Sequence, residues 1–297
     1  MTTPPTETFS DSLPRYADIM LDDWFKRSFQ EYSHAKRLLQ LTLQALIPER
    51  KIVSLTYAPQ ESTNQNAGKK GIRVDVECVD DNGQRFVVEV QRSTQQSFYG
   101  RAVFNSTFAI QRQIAAGRSY KFPPVYFIGI MRFSVHPSDG RFLYRYSLAD
   151  DETGERMTED LHYIFLETPK CRDWANATEL EKFGYALQNF PRLRDRPEGF
   201  EGEWLDLLFS SAEISNFTPE EKIKYENDMT TERDIRNQID YAFDKGKAEG
   251  VSQGIQQGMQ QGKLNIARAM LIKGLDTDMI SSVTGLAAEE IMKLNEK

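Results

Sequence analysis

The sequence is poor in cysteine and histidine and has no long apolar run. Two cysteines, Cys78 and Cys171, cannot build a disulfide framework, and three scattered histidines without a Cys or His at ligand spacing disfavour a zinc site. The longest apolar run, residues 125–131, is far shorter than the about 20 residues that a membrane-spanning helix needs. The N-terminal residues have neither a basic head nor an apolar stretch, so no secretory signal is visible. We therefore expect a cytoplasmic protein with no membrane partner.

The composition is that of an ordinary globular protein. Apolar residues make up 39% and charged residues 27% of the 297 residues, and the formal net charge is -7. This length leaves room for two domains, and the composition excludes a disordered or collagenous chain. Net acidity argues against non-specific polyanion binding by the whole surface, although it leaves room for a local basic groove. The sequence has no GxSxG elbow, P-loop or GxGxxG motif.

Composition and periodicity divide the chain into five predicted segments. They are a Pro/Thr-rich disordered lead over 1–17, an α/β domain over 18–200, a helical extension over 201–244, a helix with glycine at every fourth residue over 245–263, and a small helical tail over 264–297. The α/β domain is predicted to begin with one helix from about Asp22 to Leu46. A loop is predicted over 58–71, and a second helix over about 96–116. The run VYFIGIM over 125–131 is typical of a central strand that is buried on both faces.

A strict four-residue repeat begins at residue 246. Its glycines are Gly246, Gly250, Gly254, Gly258 and Gly262, and Val251, Ile255 and Met259 each follow one of them. A flexible linker is one interpretation, because each glycine in a helix costs about 1 kcal/mol. The other is a helix whose glycines let a partner backbone approach closely. The strict period favours the helix, and we predict a homo-oligomer that forms through it.

The most informative segment is a predicted hairpin over 72–92. Its loop, Asp81-Asn82-Gly83, suits a bulged three-residue turn in which the glycine takes the left-handed position. This turn places Asp75 opposite Glu89. One face of the hairpin then carries Arg73, Asp75, Glu77, Glu89 and Gln91, and the other face carries apolar side chains. A two-residue turn would move Asp75 to the apolar face, so the alternation of polar and apolar residues selects the bulged turn.

Asp75 and Glu89 form a candidate metal site. Carboxylates directly across a strand pair have Cβ atoms about 5 Å apart, which is unfavourable unless a cation compensates. Hard oxygen ligands at this separation suit Mg²⁺ or Mn²⁺, with water and a substrate phosphate in the remaining positions. Such an ion polarises a phosphoryl oxygen and activates a bound water, as phosphodiester hydrolysis requires. The alternative is a solvated sheet face whose acids pair with Arg73 and Arg85.

A basic segment follows the hairpin. No acidic residue occurs over 91–138. In the predicted helix, Arg101, Asn105 and Arg112 recur at helical spacing together with aromatic residues. Beside an anionic metal site this face would suit the DNA backbone, while an ordinary solvated helix face is the alternative.

These motifs resemble the PD-(D/E)XK nuclease core, through Asp75, a hairpin, and Glu89-Val90-Gln91. More specifically, the chain is similar to the recombination-promoting nuclease (Rpn) family of bacteria over about 18–297. The further motifs that support this resemblance are Asp22-Asp23-Trp24-Phe25-Lys26, Phe98-x-x-Arg101, Gln113-x-x-x-Gly117-x-x-Tyr120, Glu167-Thr168-Pro169-Lys170, Ala212-Glu213-Ile214 and the glycine repeat.

The resemblance implies an α/β fold with a restriction-endonuclease-like mixed sheet core flanked by helices, followed by an all-helical C-terminal extension. It also implies a Mg²⁺-dependent DNA endonuclease in which Asp75 and Glu89 bind the metal. Asp22 matches the acid that the family carries on its first helix and joins the catalytic set. A helix N-cap is the alternative role for Asp22, and Asp23 is a close competitor.

Gln91 occupies the position where the superfamily usually has lysine. A neutral amide can orient a water or a phosphate, but it cannot supply positive charge to the transition state. Lys69 and Lys70, in the loop before the hairpin, are candidates for that charge and for contact with DNA.

The tail over 264–297 suggests short helices that resemble a helix-turn-helix. The helix at the recognition position, AAEEIMKL, has two glutamates and no Arg, Asn or Gln for base edges. We interpret the tail as an assembly or partner-binding element, with a packing appendage as the alternative.

Two functional hypotheses follow. The first is a Mg²⁺-dependent DNA endonuclease in recombination, mobile-element movement or defence, with ions held by Asp75, Glu89 and the Val90 carbonyl. The second is a catalytically silent nucleic-acid-binding or assembly protein that retains the fold. The opposed carboxylates favour the first hypothesis, because binding alone does not require them.

Overall fold

The computed structural model describes residues 13–58, 74–93, 97–114, 120–172 and 175–294. Lys69, Lys70 and Arg73 lie outside these ranges, together with nearly all of the predicted loop over 58–71. The chain divides into two compact units, Met1–Lys222 and Ile223–Lys297.

A six-stranded mixed sheet forms the centre of the first unit. Its strands are β1 (Leu55–Tyr57), β2 (Val76–Asp80), β3 (Arg85–Gln91), β4 (Val125–Met131), β5 (Leu143–Ser147) and β6 (Leu161–Glu167). The strand order is β1-β2-β3-β4-β6-β5, with β3, β4 and β6 parallel and the other pairs antiparallel. All seven residues of β4 are buried between two parallel neighbours, which confirms the prediction of a central strand.

Helices flank the sheet and continue beyond it. They are α1 (Asp22–Lys26), α2 (Ala35–Leu46), α3 (Phe98–Gln111), α4 (Glu179–Asn189), α5 (Glu203–Ala212), α6 (Pro219–Ile272), α7 (Thr277–Thr284) and α8 (Ala288–Leu294). The predicted mixed α/β core with a helical extension is therefore confirmed.

Helix α3 connects the parallel strands β3 and β4 and packs on the sheet. Phe98, Ala102 and Ala109 of α3 share one apolar cluster with Val87 and Phe127. Val87 and Phe127 lie on the same sheet face as the hairpin acids. The charged face of the hairpin is thus covered by a helix and is not a solvated surface.

The predicted single helix from Asp22 to Leu46 is wrong in its middle. After α1 the chain forms one π turn over Arg27–Glu31, and α2 begins only at Ala35. Tertiary contacts hold this irregular turn, since the Phe29 carbonyl accepts a hydrogen bond from the Tyr57 hydroxyl over 2.6 Å. Wide turns of this kind recur at functional sites because they redirect side chains.

The predicted disordered lead over 1–17 is too long by at least two residues. Tyr16 and Ala17 are fully buried, and the Ala17 N–H donates to the Ala212 carbonyl over 2.8 Å. Tyr16 also forms a β-bridge with Glu213. The aromatic ring and the backbone pairing together tie this segment to the end of α5.

The glycine repeat lies inside α6, which confirms the helical interpretation. Helix α6 runs without a break from Pro219 to Ile272, so the predicted boundary at 244–245 falls within one helix. The repeat's glycines have no atom within 4 Å of an added Cβ, and Val251, Ile255 and Met259 are 56% to 63% exposed. Within the described ranges, every helix is too short or too polar to span a lipid bilayer.

Candidate active site

The hairpin of β2 and β3 has the predicted register. Its loop carries Gly83 at a φ of 79°, in the left-handed region that a bulged three-residue turn requires. Strand pairing places Val76 across from Val88. Asp75, the residue before Val76, therefore lies opposite Glu89, the residue after Val88.

Asp75 is buried at the start of β2, with 8% of its surface exposed. Its Oδ2 accepts a hydrogen bond from the Val90 N–H over 2.8 Å, and its carbonyl accepts one from the Gln30 side chain over 3.1 Å. Burial raises the pKa of Asp75 to about 7, and the Asp22 and Glu89 carboxylates add to the rise, although the Val90 N–H opposes it. The carboxyl group is thus costly to ionise without a cation.

Glu89 is buried more deeply, with 3% of its surface exposed. Its Oε1 accepts hydrogen bonds from Asn105 Nδ2 over 2.6 Å and from Arg101 Nη2 over 3.5 Å. Burial raises the pKa of Glu89 against the opposing effects of Arg101 and Asn105, and Asp22 adds to the rise. Two residues that the sequence predicted to contact DNA therefore meet a carboxylate of the candidate site.

Asp22 is the first residue of α1. The N-cap position belongs to Leu21, without a side-chain capping bond, so the N-cap alternative for Asp22 is wrong. The Asp22 side chain is exposed, and its charge raises the pKa of both Asp75 and Glu89. This electrostatic coupling favours Asp22 over Asp23 as the first-helix acid of the site.

The third acid of the hairpin face pairs with two arginines. Glu77 Oε1 lies 2.5 Å from Arg85 Nη1, and Glu77 Oε2 lies 2.6 Å from Arg112 Nη1. This part of the face follows the alternative interpretation, in which arginines neutralise the acids. Arg112 was predicted to contact DNA, and in the structure its guanidinium pairs with Glu77.

Gln91 follows Glu89 by two residues and lies on the same face of β3. It is 8% exposed, and its Nε2 donates to the Ser93 carbonyl over 3.4 Å.

A residue that the sequence reasoning missed brings positive charge to the site. Lys26, one helical turn after Asp22, lowers the pKa of Asp75. The spacing of Asp22 and Lys26 at i and i+4 was a signal that could have found it.

Gln30 was also missed. It lies in the π turn after α1, and its side chain fixes the backbone carbonyl of Asp75. The sequence predicted an uninterrupted α-helix there, so nothing pointed Gln30 toward the hairpin.

The donor set suits a hard divalent cation. Asp75 Oδ1 and Glu89 Oε2 accept no hydrogen bond from any residue that the structure describes. The N–H and C=O of one strand residue point the same way, so the Val90 carbonyl lies on the edge where its N–H meets Asp75. In the described ranges, no group of three or more His, Cys, Asp and Glu side chains is placed to hold a metal ion. Mg²⁺ commonly takes one or two carboxylates and keeps its waters, so two carboxylates suffice.

A mixed sheet that carries opposed carboxylates on a hairpin, with a further acid on the first helix, is the arrangement that the sequence predicted for a nuclease. The family model described as "PD-(D/E)XK nuclease family transposase" matches residues 19–242. The chain belongs to this family.

A second model, described as "Rpn/YhgA-like nuclease family, C-terminal HTH domain", matches residues 260–296 and confirms the resemblance to the Rpn family. The matched region contains α7 and α8, which share a small core with the end of α6. Glu289 and Glu290 lie in the first turn of α8. No curated protein and no solved structure matches the chain.

Proposed function

We propose that this protein is a DNA endonuclease that depends on Mg²⁺ or Mn²⁺. One observation carries the proposal, namely the two buried carboxylates that face each other on the hairpin. Burial raises the pKa of both Asp75 and Glu89, and Asp22 adds a third negative charge. Such an arrangement destabilises the fold unless a cation compensates the negative charge, and a divalent cation held there would assist phosphodiester hydrolysis.

Asp75 Oδ1, Glu89 Oε2 and the Val90 carbonyl would hold the ion. When bound, a divalent cation lowers the pKa of a coordinated water and neutralises charge on the phosphate. Asn105 keeps the Glu89 carboxylate in a fixed orientation through its 2.6 Å hydrogen bond. Gln30 does the same for the backbone at Asp75. These contacts hold the ligands in place before substrate arrives.

Lys26 is our candidate for the positive charge that Gln91 cannot provide. Its charge acts on Asp75, and its side chain is half-buried. Gln91 would orient the attacking water or a phosphate oxygen. Arg101, with 36% of its side chain exposed, would contact the DNA backbone while it remains near Glu89. We also propose that Lys69 and Lys70 contact DNA.

Plasmid nicking tests the proposal directly. We expect the full chain to nick supercoiled plasmid with Mg²⁺ or Mn²⁺ and not with EDTA, and Asp75→Ala to abolish nicking. Asp81→Ala is the matched control, since Asp81 is an exposed carboxylate in the loop of the same hairpin. Equal nicking by wild type and Asp75→Ala would remove the proposed site.

A catalytically silent DNA-binding or assembly protein is the second candidate, and the C-terminal helix-turn-helix match favours it. DNA binding without any Asp75-dependent nicking would select this candidate. Either activity would serve recombination, mobile-element movement or defence.

We also propose that the protein forms a homo-oligomer through α6. The stretch from Val251 to Gly262 has no charged residue, so two identical helices would meet there without repulsion. Five helical glycines together cost about 5 kcal/mol relative to alanine, and close backbone contact with a second helix would offset this cost.

A further inference from the structure

Four aromatic side chains cluster on the α3 side of the sheet, where Tyr99 and Tyr146 are exposed and Tyr144 is buried beneath them. This tyrosine patch consists of Tyr99 on α3, Tyr144 and Tyr146 on β5, and His136 in the connection between β4 and β5. Tyr99 is 40% exposed and Tyr146 is 39% exposed. Their hydroxyl oxygens lie 3.5 Å apart and their ring centroids 6.0 Å apart.

A buried carboxylate fixes the tyrosine patch. Glu167, which is fully buried, lies 3.2 Å from His136 Nδ1, and His136 Nε2 lies 3.3 Å from the Tyr146 hydroxyl. If Glu167 accepts the Nδ1 proton, Nε2 accepts a hydrogen bond from Tyr146. The His136 ring also stacks on Tyr144 with centroids 4.3 Å apart. The exposed rings are therefore held in place from below.

Strand register places the patch beside the candidate active site. Glu89 pairs with Gly129, Gly129 with Phe165, and Phe165 with Tyr144, in one row across four strands. Two strand spacings separate Glu89 from Phe165, which is about 10 Å. The Tyr99 ring lies 5.4 Å from the Phe165 ring. The separation of about 10 Å between Glu89 and Phe165 corresponds to about three nucleotides at about 3.4 Å of rise per stacked nucleotide.

Helix α3 contributes residues to both the candidate active site and the tyrosine patch. Arg101 reaches Glu89 from the first turns of α3, while Tyr99 points toward β5 and β6. Arg141 lies over the Tyr144 ring, 4.9 Å from its centroid, and is largely exposed, with an ion pair to Asp139 over 2.8 Å. Guanidinium groups thus stand at both ends of the aromatic surface, where the phosphates of a strand crossing the patch would pass.

From this arrangement we propose that the tyrosine patch stacks an unpaired base of single-stranded DNA close to the cleavage site. The inference rests on the proposed nuclease function and names its substrate as DNA with a single-stranded segment. Exposed aromatic faces next to cationic groups bind splayed bases without regard to sequence, whereas the bases of an intact duplex are already stacked inside it. Phosphate contacts alone would need no rigid aromatic surface.

Binding measurements without cleavage test the inference. The parent is full-length Asp75→Asn in EDTA, and fluorescence anisotropy reports its affinity for a labelled single-stranded oligonucleotide and for a hairpin duplex of the same composition. Tyr146→Leu and Tyr99→Leu keep apolar bulk but remove the ring. We expect each to weaken single-strand binding about 5- to 100-fold and to leave duplex binding within about twofold.

Two controls sharpen the measurement. Tyr146→Phe keeps the ring and should retain single-strand affinity within about threefold, since stacking needs no hydroxyl. Tyr120→Leu changes an exposed tyrosine that precedes β4 in the chain and is not part of the tyrosine patch, and it should have no effect.

Three outcomes would overturn the inference: unchanged single-strand affinity in both leucine variants, an equal loss for both DNA forms, or a parent that does not bind single strands. Because these measurements involve neither metal nor cleavage, they succeed or fail independently of the plasmid assay.

Discussion

Replacing Asp75 by asparagine should stabilise the metal-free protein, and should do so more strongly as the pH rises. Asparagine has nearly the same shape, and its side-chain oxygen still accepts a hydrogen bond from the Val90 N–H. What it removes is a carboxyl group whose pKa burial raises from the ordinary value of 3.8 to about 7.

The sign follows from proton linkage. Between pH 3.8 and about 7 the folded chain keeps a proton on Asp75 that the unfolded chain releases. The wild type therefore loses stability as the pH rises through this window and has lost about 4 kcal/mol above it, at 1.36 kcal/mol per pKa unit. The asparagine side chain does not titrate. From pH 5 to pH 8, the stability of Asp75→Asn relative to wild type should rise by about 2 to 3 kcal/mol.

Urea unfolding followed by tryptophan fluorescence measures this change in EDTA at both pH values. Residues 223–297 contain no tryptophan, and Trp24 and Trp204 are buried in the first unit, so the signal reports the unit that contains the site. Asp81→Asn, in the exposed loop of the same hairpin, is the matched control and should show no change with pH in its stability relative to wild type.

A stability difference between wild type and Asp75→Asn that is the same at pH 5 and pH 8 would contradict a raised pKa of Asp75 in the folded chain. Mg²⁺ or Mn²⁺ provides a second comparison. At about 100 times its dissociation constant, the ion should stabilise the wild type at pH 8 by about 2.7 kcal/mol, with a clearly smaller effect on Asp75→Asn.

Three further predictions concern other parts of the chain. Glu77→Gln should destabilise the first unit by about 3 kcal/mol in urea, because Arg85 and Arg112 lose their shared carboxylate; destabilisation below 1 kcal/mol would contradict this. Gly129→Ala should cost about 1 to 3 kcal/mol in the same assay, since a Cβ there would lie 2.8 Å from the Phe165 ring, and an unchanged urea midpoint would show that the ring moves freely. A chain that ends at residue 244 should have a smaller oligomeric mass than the full protein by light scattering, and an unchanged number of subunits would reject the role of the glycine repeat.

Local chemistry was readable from the sequence. The loop Asp81-Asn82-Gly83 and the alternation of apolar residues determined the hairpin register, because slipping one strand by one residue would put Asp75 into the apolar face. The unbroken apolar run of β4 determined a strand buried on both sides. The strict glycine period indicated a helix, and α6 is one.

The fold decided which partners the basic side chains contact. The acid-free stretch over 91–138 suggested a positive groove open to DNA. Instead Arg112 pairs with Glu77, Arg101 approaches Glu89, and Arg132 binds both carboxylate oxygens of buried Asp18. Residues distant in the sequence come into contact only when α3 packs on the sheet. The charge pattern along the chain therefore does not reveal which acid each arginine meets.

The carboxylates and their register could therefore be predicted from local sequence, since a hairpin is a contact between residues close along the chain. The burial of these carboxylates, the effect of Asp22 and Lys26 on them, and the reach of Gln30 to Asp75 from a π turn could not. Burial and electrostatic coupling depend on elements that pack together from distant parts of the chain. Helical periodicity alone would have drawn α1 and α2 as one straight helix.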